Sequence, residues 1–131
     1  MACPECGREQ VVFAVPADLR EYLPEATERA AICTRCLALD PATDAPAGAT
    51  DFDAIGDEFP DGSAGVAMAL AAGLLDSLAL YREEIAALLE RVEREGSDPL
   101  LVLDRLAADP GVEPHFETAR RRTQLEQLLY Q

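Results

Sequence analysis

The four cysteines form two Cys-x-x-Cys pairs, and these pairs constrain the fold of the chain more than any other feature. Cys3 and Cys6 form the first pair, and Cys33 and Cys36 form the second after a gap of 26 residues. A two-residue spacer lets one tight turn direct both sulfurs at one metal ion, and the intervening chain is long enough to return the second turn to the first. This spacing predicts a four-cysteine site for Zn²⁺.

Two other chemistries remain open for these cysteines, namely rubredoxin-like iron and redox or other metal-handling thiols. A rubredoxin site favours glycine after both pairs, but Leu37 stands after the second pair where Gly7 stands after the first. Four sulfur ligands leave no coordination position for water, so we expect structural rather than catalytic zinc. Arg8 and Arg35 flank the pairs. They either offset the negative charge of the thiolates or are ordinary solvated side chains.

Residues 1–39 read as a zinc ribbon, in which short strands lead out of metal-binding turns. The β-branched run 10–15 predicts a strand, residues 18–22 can form one helical turn, and residues 30–32 lead into the second cysteine pair. Residues 40–51 are rich in Pro, Ala, Gly and Asp, which predicts a linker, and a short helix is expected over 51–59.

Residues 52–131 are predicted to form an α-helical domain, so the fold class is α+β, a zinc ribbon followed by a bundle-like unit. A helical pattern covers residues 63–95, either continuous or broken near Asp76, and further helices are expected over 100–108 and 116–130. Asp98-Pro99 is a helix-start signal. Six apolar residues follow a heptad spacing, and we call them the seam: Leu74, Leu78, Tyr81, Ile85, Leu88 and Val92.

The seam needs a cover, since an exposed apolar stripe of this length favours aggregation. The chain's own helices, with leucines at 100–106 and 125–129, are the favoured cover, and a homodimer interface is the other. Gly65, Ala69 and Gly73 form a smooth face that would allow close helix–helix approach.

The chain is strongly acidic, with 25 Asp and Glu residues against 11 basic residues and a net charge of -14. All the basic residues are arginines. We read this surface as adaptation to a salty cytoplasm, with an acidic protein of a GC-rich genome as the alternative. The charge disfavours nucleic acid and anionic lipid as partners, although the argument weakens at high salt. The apolar run 64–75 is too short for a membrane span of about 20 residues. Without a leader, paired cysteines indicate a reducing cytoplasm.

The residues that the chain lacks argue against an enzyme. Without lysine there is no phosphate-binding loop lysine and no Schiff base, and a single histidine excludes the paired-histidine zinc protease motif. His115 is expected to be a surface residue in a loop. Arg120, Arg121 and Arg122 should splay around a helix and pair with the acidic surface, with nucleic acid or an acidic partner as the alternative.

The chain begins with MACPECG, which resembles the CPxCG knuckle of small haloarchaeal zinc-finger proteins. Together with Leu74–Leu80 and Asp98–Leu101, the layout is similar to a family of uncharacterised haloarchaeal proteins along the whole chain. The second pair departs from that motif at Thr34 and Leu37. The resemblance implies zinc, a halophilic cytoplasm and a regulatory or adaptor role, and it supplies no activity.

We therefore expect a zinc-binding interaction or adaptor protein whose partner is another protein. A nucleic-acid-associated or transcriptional regulator that uses the ribbon or the three arginines is the second hypothesis. A redox or metal-handling protein is the third.

Overall fold

The computed structural model describes residues 2–23, 28–42 and 52–130. Within them a three-stranded antiparallel sheet precedes four α-helices, which confirms the α+β class. The strands are β1 (Gln10–Ala14), β2 (Arg29–Cys33) and β3 (Leu39–Pro41). The helices are α1 (Gly62–Leu74), α2 (Arg82–Arg94), α3 (Pro99–Ala108) and α4 (Thr118–Leu129). Short 3₁₀ turns lie at Arg20–Tyr22, Phe52–Ala54 and Leu75–Ser77.

The sheet has the order β1-β2-β3, with Gln10 opposite Cys33 and Ile32 opposite Leu39. β3 extends two residues into the segment predicted as a linker, and residues 43–51 of that segment lie outside the described residues. The short helix expected over 51–59 is limited to the 3₁₀ turn Phe52–Ala54. The division into domains at 1–39, 40–51 and 52–131 stays a prediction.

Helix α1 is the central helix, since every residue from Ala64 to Ala72 is buried. Such a helix is apolar all round because it has neighbours on every side. Among the described residues, no helix combines the length and the apolar character needed to cross a bilayer.

The small residues of α1 allow other segments of the chain to approach closely. A Cβ at Gly73 would lie 2.4 Å from Cβ of Leu39 in β3, and one at Gly65 would lie 2.4 Å from the carbonyl oxygen of Pro60. Spacing identifies a smooth face and not what packs on it, and at both glycines the nearest neighbour is not another α-helix.

The helical pattern over 63–95 is broken, because a 3₁₀ turn and a further turn separate α1 from α2. The seam is nevertheless buried within the chain. Leu74 and Leu78 are 6% exposed, the three seam residues of α2 are fully buried, and Tyr81 packs partly buried against them. The same core includes Phe13 and Ile32 of the sheet, so the sheet and the helices share one hydrophobic core.

Helices α3 and α4 complete this core. Asp98 caps α3 as predicted, since its Oδ1 accepts hydrogen bonds from the backbone N–H groups of Leu100 and Leu101 at 3.1 and 3.3 Å. α4 begins at Thr118, two residues later than expected, and buries Leu125.

Candidate metal centre

The four cysteine sulfurs form one cluster. The Sγ atoms of Cys3 and Cys36 lie 3.7 Å apart, those of Cys6 and Cys33 lie 3.3 Å apart, and no two of the four are separated by more than 4.8 Å. Metal–sulfur bonds of about 2.3 Å in a tetrahedron require sulfurs roughly 3.8 Å apart. The donor set therefore fits one tetrahedral ion of the size of zinc.

Two turns with the same hydrogen bonds present these sulfurs, and we call Cys3–Arg8 the first knuckle and Cys33–Ala38 the second knuckle. In the first knuckle, the N–H of Gly7 donates to the carbonyl of Cys3 at 2.9 Å, and the N–H of Cys3 donates to the carbonyl of Arg8 at 2.7 Å. The second knuckle repeats both bonds, from Leu37 to Cys33 at 3.2 Å and from Cys33 to Ala38 at 3.0 Å. The cluster is thus built from two copies of one local structure.

Backbone N–H groups point at the sulfurs. The Sγ of Cys33 accepts hydrogen bonds from the N–H groups of Arg35 and Cys36, each at 3.4 Å. The N–H of Arg8 donates to Cys6, and the N–H of Ala38 donates to Cys36, again at equivalent positions. Such donors stabilise thiolates, which are the form that binds metal.

The thiols differ in how readily they ionise. The hydrogen bond from the Arg8 N–H lowers the pKa of the exposed Cys6 to about 7. Burial raises the pKa of Cys33 and of Cys36 above the usual value for a thiol. Cys6 is therefore the thiol that ionises most readily of these three, and a bound ion would have to displace protons from Cys33 and Cys36.

Leu37 has the same backbone conformation as Gly7 although it carries a side chain. Its φ is 62°, against 77° for Gly7, and it is the one non-glycine residue with positive φ in the described ranges. A left-handed residue with a Cβ costs about 1–2 kcal/mol. The Leu37 side chain is fully buried in the shared core, and burying a leucine contributes about 1.5–3 kcal/mol. Burial therefore offsets the strain, and the departure from the CPxCG motif leaves the turn unchanged.

Thr34 explains the other departure from that motif. Its N–H and its Oγ1 both donate to the carbonyl oxygen of Glu9, at 3.0 and 2.9 Å. Proline at this position, as at Pro4 of the first knuckle, would lack both donors. Thr34 thereby attaches the second knuckle to the chain that enters β1.

The connection between α3 and α4, residues 109–117, docks on the second knuckle. The N–H of Glu113 donates to the carbonyl of Arg35, and the N–H of His115 donates to the carbonyl of Cys36, both at 2.8 Å. Arg35 also pairs with Glu113 at 3.0 Å, and this contact is the main reason why the pKa of Arg35 is raised. Arg35 thus has a structural partner, whereas the side chain of Arg8 is exposed.

Residues 2–129 match the model of a protein family described as "Family of unknown function (DUF6276)". The chain belongs to the DUF6276 family. The matched range includes both knuckles and all four α-helices described above. Comparison with curated proteins and with solved structures found no significant match.

His115 of this DUF6276 chain is not the surface residue that the sequence predicted. Its side chain is 14% exposed, with Nε2 3.2 Å from the carbonyl oxygen of Ala72 in α1. The ring also stands edge-on to Phe116, with centroids 5.1 Å apart. Pro114 signals a loop but not what the loop packs on, so the sequence did not indicate that this loop contacts both the second knuckle and α1.

The three consecutive arginines of the DUF6276 chain splay as predicted. Arg122 pairs with Asp104 and Glu126, both at 2.6 Å. Arg121 donates to the carbonyl oxygen of Asp76 at 2.9 Å and to Oε1 of Gln124 at 2.8 Å, and Arg120 is exposed. Within the described part of the chain, none of the three arginines forms a hydrogen bond or ion pair with either knuckle.

Proposed function

We propose that this DUF6276 protein is a zinc-stabilised interaction or adaptor module of a reducing, halophilic cytoplasm. The observation that carries the proposal is the cluster of four sulfurs on two equivalent knuckles. Zinc there would be structural, and the function would be to present a defined surface to a protein partner.

The donor set supports structural zinc over a catalytic metal. Four protein thiolates fill a tetrahedral shell, whereas catalytic zinc keeps a position for water or substrate. Cys3, Cys33 and Cys36 are also buried, so a substrate would have little access to the ion. This supports the expectation that the protein is not an enzyme.

The packing supports a role for zinc in shaping the whole molecule. The second knuckle contacts residues 109–117, and the sheet shares its core with α1 and α2. Structural zinc typically contributes on the order of 10 kcal/mol of binding energy coupled to folding. The ion would therefore help to hold the helical surface as well as the ribbon.

Metal analysis tests the zinc part of this proposal. Protein purified in reducing buffer at high KCl should contain about one zinc per chain, because four protein sulfurs complete the coordination of one ion. Cys33→Ser should lose most of this zinc, and Thr34→Ser, which keeps the hydroxyl donor, is the matched control that should retain it. Iron in place of zinc, or substoichiometric metal with cysteine disulfides, would exclude structural zinc.

A partner experiment tests the interaction part. Zinc-loaded protein in native-salt extract should retain a specific protein, and Cys33→Ser should lose it. Nucleic acid retained after stringent washing, with no protein, would instead favour the regulator hypothesis. If the protein retains no partner and its thiols oxidise reversibly while it stays intact, the redox hypothesis would be favoured.

A further inference from the structure

A groove of about 620 Å³ lies between the turn that joins α1 to α2 and one side of α4. We call it the α4 groove, and the lining residues that carry the argument are Asp76, Leu80, Arg82, Arg120, Arg121 and Leu128. We propose that the α4 groove binds an acidic, leucine-containing segment of a partner protein. This inference rests on the proposed interaction function and specifies the surface and the chemistry of the partner.

The charge of the groove is opposite to that of the chain. Three arginines and one aspartate line it, which gives a local formal charge of +2 (three minus one), while the whole chain carries -14. A cationic groove on an anionic protein offers an acidic ligand charge complementarity at contact.

Two of the three arginines are available to a ligand. Arg121 is held by Asp76 and Gln124, whereas Arg82 and Arg120 are exposed and make no hydrogen bond or ion pair within the described part of the chain. Guanidinium groups bind carboxylates through two parallel hydrogen bonds. At molar salt the screening length is about 3 Å, so only such contact pairs contribute there.

The groove also offers an apolar contact. Leu80 is 72% exposed, more than any other large hydrophobic residue in the described ranges, and the half-buried Leu128 also lines the groove. High salt strengthens apolar association, which raises the free-energy cost of leaving Leu80 in solvent. A leucine of the partner placed against Leu80 would remove both surfaces from water.

The shape favours an extended or helical protein segment. The groove residues of α4 are at positions 120, 121, 124, 127 and 128, which form one face of the helix. A segment that packs along this face meets charged and apolar groups in turn. A nucleic acid would gain nothing from Leu80, and a small carboxylate would leave Leu80 exposed.

Site-specific photo-crosslinking tests the proposal. A photoreactive benzoylphenylalanine is placed at position 80, or at position 101 as the control, in the full-length zinc-loaded protein in its native-salt extract. Leu101 is a suitable control because it is also an exposed leucine, 44% accessible, on the separate helix α3. Position 80 should capture a protein through a segment rich in Asp, Glu and Leu, and position 101 should not.

A synthetic copy of the captured segment then gives the affinity. Arg82→Glu combined with Arg120→Glu should weaken its binding about tenfold or more, and Leu80→Asp should do the same. Arg105→Glu and Leu101→Asp are the matched controls and should leave the affinity within about twofold.

The failures of the two proposals are distinguishable. The α4 groove proposal would be overturned if position 80 gave no protein crosslink or if position 101 captured the partner equally well. It would also be overturned if the captured material were a basic segment or nucleic acid, or if the groove variants left the affinity unchanged. If a zinc-dependent partner is still retained in any of these cases, the interaction function stands. Absence of both zinc and a retained partner overturns the interaction function itself.

Discussion

Gly7 and Leu37 occupy equivalent positions in the two knuckles and share a left-handed backbone, with φ values of 77° and 62°. A Cβ at Gly7 would meet nothing within 4 Å, while the side chain of Leu37 is fully buried. The same turn is therefore supported in two ways, by absence of strain in the first knuckle and by core packing in the second.

This difference predicts an unusual order of stability for variants of Leu37. Leu37→Ala removes the buried side chain and keeps the strain, so it should cost about 2–5 kcal/mol. Leu37→Gly removes the same packing but relieves strain, so it should be more stable than Leu37→Ala by about 1 kcal/mol. Denaturant unfolding of the zinc-loaded proteins measures both. Gly7→Ala is the control that introduces strain without changing core packing, and it should cost about 1 kcal/mol. If Leu37→Gly were less stable than Leu37→Ala, the left-handed backbone at Leu37 would not be strained.

Zinc affinity should increase with pH, because protons compete with the ion for the thiols. Cys6 has a pKa lowered to about 7, so it ionises near neutral pH, while burial raises the pKa of Cys33 and of Cys36 and favours their protonated forms. Raising the pH from about 6 to about 8 ionises Cys6 and lowers the cost of deprotonating the others, so the apparent Kd should fall. Competition with a chromophoric chelator measures the Kd, and calorimetry in two buffers measures proton release. A pH-independent Kd without proton release would rule out thiolate ligation.

Gly73→Ala tests the contact between α1 and β3. In an exposed helix this change would stabilise by about 1 kcal/mol. Here the new Cβ would lie 2.4 Å from Cβ of Leu39, and strand and helix must separate, so we expect a loss of about 1–3 kcal/mol. Thermal unfolding gives the sign of the stability change. A higher melting temperature for Gly73→Ala would mean that α1 and β3 do not approach closely.

His115→Ala tests the link between the second knuckle and α1. The variant loses the hydrogen bond to the carbonyl of Ala72 and the contact with Phe116, so stability should fall by about 1–3 kcal/mol. Glu113→Ala, which removes an ion pair whose carboxylate is largely exposed, is the control and should cost less than about 1 kcal/mol. Equal effects of the two changes on urea unfolding would show that the His115 side chain is not part of the packing.

Salt should stabilise the protein. With 25 acidic residues against 11 arginines the folded chain repels itself, and the screening length falls from about 10 Å at 0.1 M salt to about 3 Å at 1 M. The melting temperature should therefore rise between about 0.1 M and about 2 M KCl. Calorimetric scans at constant pH provide the comparison, and a flat profile would argue against a halophilic surface.

Local features of the sequence were sufficient for several parts of the fold. The spacing of the cysteines identified the four sulfurs that the structure brings together, since a two-residue spacer determines the turn around each pair. Asp98 and Pro99 marked the start of α3, because a helix cap depends only on neighbouring residues. Heptad periodicity likewise identified the buried seam, as it specifies which side of a helix is apolar.

Contacts between distant segments were decided only by the tertiary structure. The sequence did not indicate that Gly73 approaches Leu39, that the segment before α4 binds the second knuckle, or that His115 reaches α1. Nor did periodicity decide where the helix over 63–95 breaks. Periodicity specifies which face of an element is apolar, whereas the partner of that face depends on how all the elements pack together. It is this packing that places a strand, a loop and a histidine around α1.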